Sequence, residues 1–382
     1  MIYFDSAATS FFRPREVAQA VLTAMKTMGN GYRGTHDAAQ KSAQKIHETR
    51  NLISDMFNVG GADRVAFTLN ATASLNMAIK GLLNPGEHAI TTVLDHNSVL
   101  RPLYEMEERG VELTIIDCDE KGRLLYDELE KAVRENTKAV VCTHASNLTG
   151  NLTDIRRIGE FCRARGICFI VDAAQTAGIF PIDMELDKID ILCFSGHKGL
   201  MGPQGTGGIC VKRSINLRPL LSGGSGFQTF SKTQPSDMPT VLEAGTLNGH
   251  GIAGLNAALA YINKTGIDAI RQKEQMLARE FYLRAKDIPG ITIYGDFSSF
   301  DRAPTVSFNL GELDPGEVCA KLEASYGIYA RSGWHCAPLM HRALGTEARG
   351  SVRFSFSHRN TLSEVKTSIE ALKQCEIIQT RF

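Results

Sequence analysis

The chain has 382 residues, 43% of them apolar, and its 42 basic and 42 acidic side chains give a formal net charge of zero. That length and apolar share can bury a full core and exceed the usual single-domain size, so two subdomains are expected. Balanced charge without a basic block points away from nucleic acid and from an anionic membrane surface, and leaves a small molecule as the expected partner. The first residues, Met1 to Asp5, carry neither a basic flank nor a signal-peptide apolar core, and no run approaches the ~20 apolar residues of a membrane helix, so a cytoplasmic protein is expected. Nine cysteines without a Cys-x-x-Cys pair fit neither a disulfide framework nor a zinc site, and no metal is expected.

From about residue 60 to 212, short apolar runs alternate with helical patterns. The runs cover 65–68, 88–93, 112–116, 139–143, 167–171, 189–194 and 208–211. Seven strands separated by helices predict a largely parallel α/β sheet covered on both faces, with ligands at the strand C-termini. Cys142, Cys168, Cys193 and Cys210 lie in or beside these runs and read as small buried hydrophobes. A Gly/Ser-rich, then polar stretch over 222–239 predicts an exposed excursion. Helices are expected over 249–261 and 269–286, the second long enough to connect two domains. Strands at 291–294, 305–309 and 351–355, with helices at 317–326 and 362–375, then predict a smaller α+β domain. The expected division is 16–262 for the large domain, with 1–15 and 263–382 forming the small one.

The residues following each strand carry the chemistry. Asn70-Ala71-Thr72-Ala73-Ser74 opens a helix whose free N–H groups and hydroxyl suit a phosphate, although taken alone it reads rather as an ordinary N-cap. After the next strand, His96 could stack on a flat ring or be an ordinary satisfied histidine. Asn147, after the fourth, could reach a phenolic oxygen or a carboxylate, or simply form a turn. The fifth ends at Asp172, with Gln175 beyond, and the sixth leads into Ser195, His197 and Lys198. A lysine just past a buried strand can be desolvated, its pKa lowered and its amine made ready to act as a Schiff-base lysine. Pyridoxal phosphate needs this lysine for its aldehyde and a carboxylate such as Asp172 to keep its pyridine nitrogen protonated. Two nucleotide readings are excluded, since Gly202 to Gly208 lacks a Gly-Lys-Ser/Thr ending and no Gly-x-Gly-x-x-Gly follows the first strand. Cys336 stands apart from the other thiols, in the loop Gly333-Trp334-His335-Cys336-Ala337-Pro338.

The pieces Asp5 to Thr9, Tyr32 to His36, Thr68 to Asn76, Asp95-His96, His144 to Asn147, Val171 to Gln175, Phe194 to Lys198, Glu243 to Thr246, Arg331 to Ala337 and Arg353 together resemble the class V aminotransferases. The resemblance is strongest to the cysteine desulfurase and selenocysteine lyase group, and the Arg-x-Gly-x-His-Cys-Ala segment carries that distinction. It implies a pyridoxal-phosphate-dependent transferase of fold type I (aspartate aminotransferase-like), with a large, mostly parallel seven-stranded sheet domain and a smaller α+β domain. By the same resemblance Lys198 holds the cofactor, Asp172 pairs with its ring nitrogen, Gln175 bonds its hydroxyl and His96 stacks on it. Thr72, Ala73, Ser195 and His197 bind the phosphate, joined by Thr246 from the neighbouring subunit of a homodimer. Arg353 clamps the substrate carboxylate with help from Asn147, while Arg33, His36 and Arg331 are placed near the substrate entrance; Arg353 alone would read as a solvated strand-edge arginine.

The implied reaction converts L-cysteine to L-alanine. Lys198 moves the α-proton, His96 donates a later one, and Cys336 receives the sulfur as a persulfide for delivery to a small acceptor protein, as in iron–sulfur cluster assembly. L-selenocysteine is the alternative substrate, and a selenocysteine lyase or cysteine β-lyase with Cys336 inessential is the alternative activity. Three departures stand out. Trp334 replaces a common histidine, Asp95 a more usual glutamate, and Leu247-Asn248 a segment that commonly holds proline.

Overall fold

The computed structural model describes residues 1–379. Its thirteen strands are β1 (Ile2–Tyr3), β2 (Val65–Thr68), β3 (His88–Thr92), β4 (Glu112–Ile116), β5 (Thr137–Thr143), β6 (Cys168–Asp172), β7 (Ile191–Ser195), β8 (Gly207–Val211), β9 (Ile291–Tyr294), β10 (Thr305–Leu310), β11 (Ile328–Tyr329), β12 (Arg331–Gly333) and β13 (Ser351–Ser355). The helices are α1 (Arg15–Thr27), α2 (Asp37–Phe57), α3 (Ala71–Leu82), α4 (Asn97–Glu108), α5 (Tyr126–Lys131), α6 (Ile155–Arg165), α7 (Gly249–Thr265), α8 (Ile267–Ala285), α9 (Pro315–Tyr326), α10 (Pro338–Ala343) and α11 (Leu362–Gln379).

The seven expected runs form one sheet in the order β2-β8-β7-β6-β5-β3-β4. Neighbours from β7 through β4 pair in parallel, whereas β8 runs antiparallel to both β7 and β2. Burial on both faces explains why β6, β7 and β8 read as continuous apolar runs rather than alternating ones. Successive side chains serve opposite faces. Val140, Phe169, Val171 and Leu192 join one core with helix residues such as Ile53 and Leu255, while Val141, Ile170 and Ile191 join another with Leu75 and Leu103. Gly207 is required where β8 passes the start of α3, since a Cβ there would lie 2.7 Å from the Asn70 Cα.

A second sheet, β12-β13-β10-β9, is antiparallel throughout. Its core is aromatic: Phe4 lies against Phe356 with ring centroids 4.9 Å apart, and Phe281 of α8 against Phe354 at 5.0 Å. Helix α8 links the two bodies, contributing Ile270 to the large-sheet core and Leu277 and Phe281 to the aromatic one. The chain's start is drawn into this second layer, with β1 pairing in parallel with β11 and Asp5 bridging to Ser355. The stretch predicted as an excursion does stay on the surface, with Phe230 fully exposed. No helix among the described residues is long and apolar enough to cross a membrane.

Candidate active site

Strands β2, β3, β5, β6 and β7 run in one direction, so the loops leaving them gather at one edge of the large sheet. A cavity of about 160 Å³ opens there. Of the residues singled out from the sequence it brings together Thr72, His96, Asn147, Asp172, Gln175, Ser195, His197 and Lys198, and adds Asn70, Thr143 and Ser98.

Lys198 lies three residues past the end of β7, where withdrawal from water lowers its ammonium pKa to about 8; Arg353 and Arg331 push the same way, against Asp172 and Asp5. Asp172, the last residue of β6, is 3% exposed and accepts from the Ala174 N–H at 2.9 Å. Burial raises its pKa, and neither that hydrogen bond nor Lys198 fully offsets it. A carboxylate so placed favours a cationic N–H partner in the cavity.

His96 caps α4, and its Nδ1 accepts from the Ser98 N–H at 3.0 Å. In the neutral ring this bond puts the proton on Nε2. Burial, with Lys198, Arg331, Arg353 and Arg101 nearby, drops the His96 pKa to about 4, so the imidazole is neutral at ordinary pH. Directly behind it, Asp95 is fully buried, and its Oδ2 accepts from the Thr91 and Thr92 hydroxyls and the Thr92 N–H. Burial raises this carboxyl to about 7, with the like charge of Asp172 adding to the effect. The residue that departs from the usual glutamate is thus a tie for the turn presenting His96.

At the opposite end, the start of α3 meets the Ser195-Gly196-His197 turn. Ala71 N–H donates to Ser195 Oγ at 3.0 Å, and Thr72 Oγ1 lies 2.8 Å from Ser98 Oγ. Ala73 is the exception among the expected phosphate ligands, because its N–H is already taken by the Asn70 side chain at 3.0 Å and it does not line the cavity. The donor set fits pyridoxal phosphate in chemistry: hydroxyls and a helix start for an anion, a buried carboxylate for a ring cation, and a desolvated lysine for an aldehyde.

The second sheet meets the cavity at Asn147. Arg353, in the middle of β13 and 1% exposed, donates through Nη1 to the Asn147 carbonyl at 3.1 Å and through Nη2 to Asp5 Oδ1 at 3.0 Å, while its Nε has no protein partner. Asp5 escaped the sequence reading as a site residue, since nothing local marks a partner so distant along the chain. Asn147 Nδ2 donates to the His335 carbonyl at 2.7 Å, and Asn97 N–H to the Cys336 carbonyl at 2.8 Å. The loop bearing Cys336 is therefore tied both to the cavity and to the residue after His96. His335 and Cys336 adopt φ of 47° and 57°, a left-handed corner that costs on the order of 1–3 kcal/mol per non-glycine residue. Among the nine free cysteines Cys336 alone is exposed, whereas burial pushes the half-buried thiols of Cys118 and Cys319 up to about 11 and about 12. Trp334 is 53% exposed, with Nε1–H donating to the Glu347 carbonyl.

Several expected residues lie elsewhere. Cys336, Arg331 and Arg353 do not line the cavity; Arg353 reaches its rim through the Asn147 carbonyl, and Arg331 pairs with Arg353 across the sheet. His36 caps α2. Arg33 donates to the Gly224 and Gly245 carbonyls at a separate cavity of about 250 Å³, which also holds the buried Arg50–Glu243 pair and adjoins the exposed Thr246.

The aminotransferase class-V family model matches residues 2–367. A probable cysteine desulfurase of Pyrococcus abyssi is 35% identical over 387 residues, covering 98% of this chain and 94% of the relative. One from Methanothermobacter thermautotrophicus is 32% identical over 380 residues, with the same coverage. Among solved structures, the apo cysteine desulfurase of Thermococcus onnurineus superposes with a TM-score of 0.93 at 32% identity, and the Escherichia coli cysteine desulfurase CsdA with 0.89 at 27%, each covering 98% of this chain and 94% of that one. The architecture is that of the fold type I transferases, and the chain belongs to the class V aminotransferase family.

Proposed function

We propose that the protein is a pyridoxal-phosphate-dependent cysteine desulfurase, converting L-cysteine to L-alanine and taking the sulfur onto Cys336. The observation that carries this reading is one exposed thiol whose loop carbonyls, His335 and Cys336, accept hydrogen bonds from the Asn147 side chain and the Asn97 N–H beside a buried lysine–aspartate cavity. Lys198 would hold the cofactor's aldehyde carbon, Asp172 its ring nitrogen, and Thr72, Ser195 and His197 its phosphate. When bound, the cofactor supplies an electron sink for the pair released at the substrate's α-carbon.

Arg353 offers its unpartnered Nε to the substrate carboxylate, next to a guanidinium edge that Asp5 already holds in orientation. Lys198, with a pKa near neutrality, accepts and returns the α-proton. Cys336 Sγ forms an S–S bond with the substrate sulfur as the Cβ–S bond breaks; the bonding electrons stay with the substrate, and one proton at Cβ completes alanine. The atoms balance without an external oxidant: two thiols enter, and one persulfide and one methyl group leave. His96, carrying its proton on Nε2 over the cavity, is the donor we assign to Cβ. Burial is the main cause of its lowered pKa, and bound phosphate and substrate carboxylate would offset the smaller part that comes from the surrounding cations.

We further infer a homodimer in which Thr246 completes the partner's phosphate site. Thr246 is exposed and does not line its own chain's Lys198 cavity; its neighbours Gly245 and Leu247 line the second cavity together with the exposed Phe227. The exposure of Cys336 suits delivery of sulfur to an acceptor protein. Product analysis of the cofactor-loaded protein with cysteine tests the whole reading: alanine in step with persulfide on Cys336 is expected, whereas pyruvate and free sulfide would identify a β-lyase.

A further inference from the structure

The thiol loop and the substrate cavity share one side chain. Asn147 lines the cavity, and one of the two hydrogens on its Nδ2 goes to the His335 carbonyl, 2.7 Å away. A carbonyl only accepts, so this bond fixes which way the amide faces. Its Oδ1 is left buried with no partner. The residue it holds is the first of the two consecutive left-handed positions, His335 and Cys336. Such a corner persists only while its surroundings impose it. Besides Asn147, it is held by the His335 ring at the Ser351 carbonyl and by Asn97 N–H at the Cys336 carbonyl. Of these ties, Asn147 is the one whose side chain also faces the cavity, and its own backbone carbonyl accepts from Arg353 Nη1.

In this arrangement Cys336 is exposed and outside the cavity lining, so its sulfur has to move to meet a substrate. We propose that Asn147 is a positioning residue that gates this movement: the carboxylate of the amino acid, arriving at Arg353, draws the Asn147 amide off His335 and frees the strained corner that carries the thiol. A carboxylate is the stronger acceptor, so the exchange is favourable in this direction. The inference rests on the functional reading above, and adds that substrate binding and thiol release are coupled through the one amide that faces both the cavity and the thiol loop.

The test follows amide hydrogen exchange of the cofactor-loaded wild-type protein with and without saturating L-alanine, which carries the amine and carboxylate but no sulfur. Alanine should speed exchange at Ala337 and Asn97 by roughly three- to tenfold, the scale of one released hydrogen bond. It should also change the emission of Trp334, the chain's single tryptophan. Asn147→Ala should exchange fast at both amides without alanine and gain nothing from it. An alanine-induced change in the cofactor's visible absorption without faster exchange overturns the gate alone. The absence of any such spectral change overturns the functional reading and the gate with it. The wild-type comparison decides the matter even if Asn147→Ala folds poorly.

Discussion

Asp5 and Arg353, 348 positions apart in the chain, form an ion pair of 3.0 Å in which the arginine is almost completely buried. Removing one partner of such a pair leaves an uncompensated buried charge. Asp5→Ala should therefore lower unfolding free energy by about 3 kcal/mol, read from urea denaturation, and raise KM for cysteine as the guanidinium loses its orientation. Asp5→Asn keeps an oxygen acceptor and should recover most of both. Wild-type stability in Asp5→Ala would show that the pair does not hold the clamp.

Cofactor capture by the apoprotein should follow the Lys198 amine. With a pKa of about 8, the rate should climb about tenfold per pH unit below pH 8 and level off above it. Asp172 raises the Lys198 pKa, so Asp172→Asn should move the levelling point to lower pH. For stability the sign is opposite to that of a salt-bridged lysine. Between about pH 8 and pH 10.5 the unfolded chain holds a proton that folded Lys198 has lost, so this residue makes the apoprotein more stable as pH rises through that window. A capture rate still climbing at pH 10 contradicts the desolvated-lysine account.

Lys198→Ala should lose both the visible absorption of lysine-bound cofactor and the adduct that borohydride fixes to the wild-type chain. Peptide mapping that finds the adduct on another lysine would overturn the assignment of the cavity. Asp172→Ala should still bind some cofactor but fall by at least about 10³ in kcat, because the ring nitrogen loses the partner that keeps it protonated.

Cys336→Ala should abolish alanine formation from cysteine while leaving the spectral response to substrate intact. Selenium departs far more readily than sulfur, so activity towards selenocysteine should be largely spared. Parent-rate alanine release from cysteine by this variant would make the thiol a bystander and favour a lyase.

The large sheet was legible because its strands are buried on both faces and so carry dense apolar runs with chemistry at their ends; Asp172 and Lys198 could be placed at one edge before any coordinates. Strand direction was not legible in the same way, since the run that became β8 looks alike read parallel or antiparallel. Arg331 to Gly333 was not among the expected strands because Ser and Gly carry little strand signal, and their extended form comes from pairing with β13. Ala73 failed as a phosphate donor for a local reason: Asn70 satisfies its N–H, and an N-cap and an anion site look the same in one dimension. The contacts of Asp5 with Arg353 and of Asn147 with His335 had no sequence signal, because they depend on how the second sheet seats on the first.

The pairing of β1 with β11 sets a timetable for synthesis. Ile2 is made 326 residues ahead of its partner, Ile328. At about 5–20 residues per second the first strand waits on the order of 20–60 s for that partner to be made. Arg353 emerges later still, by which time Lys198 and the whole large sheet are long complete. A nascent chain can thus assemble the lysine cavity well before Cys336 and Arg353 have been made.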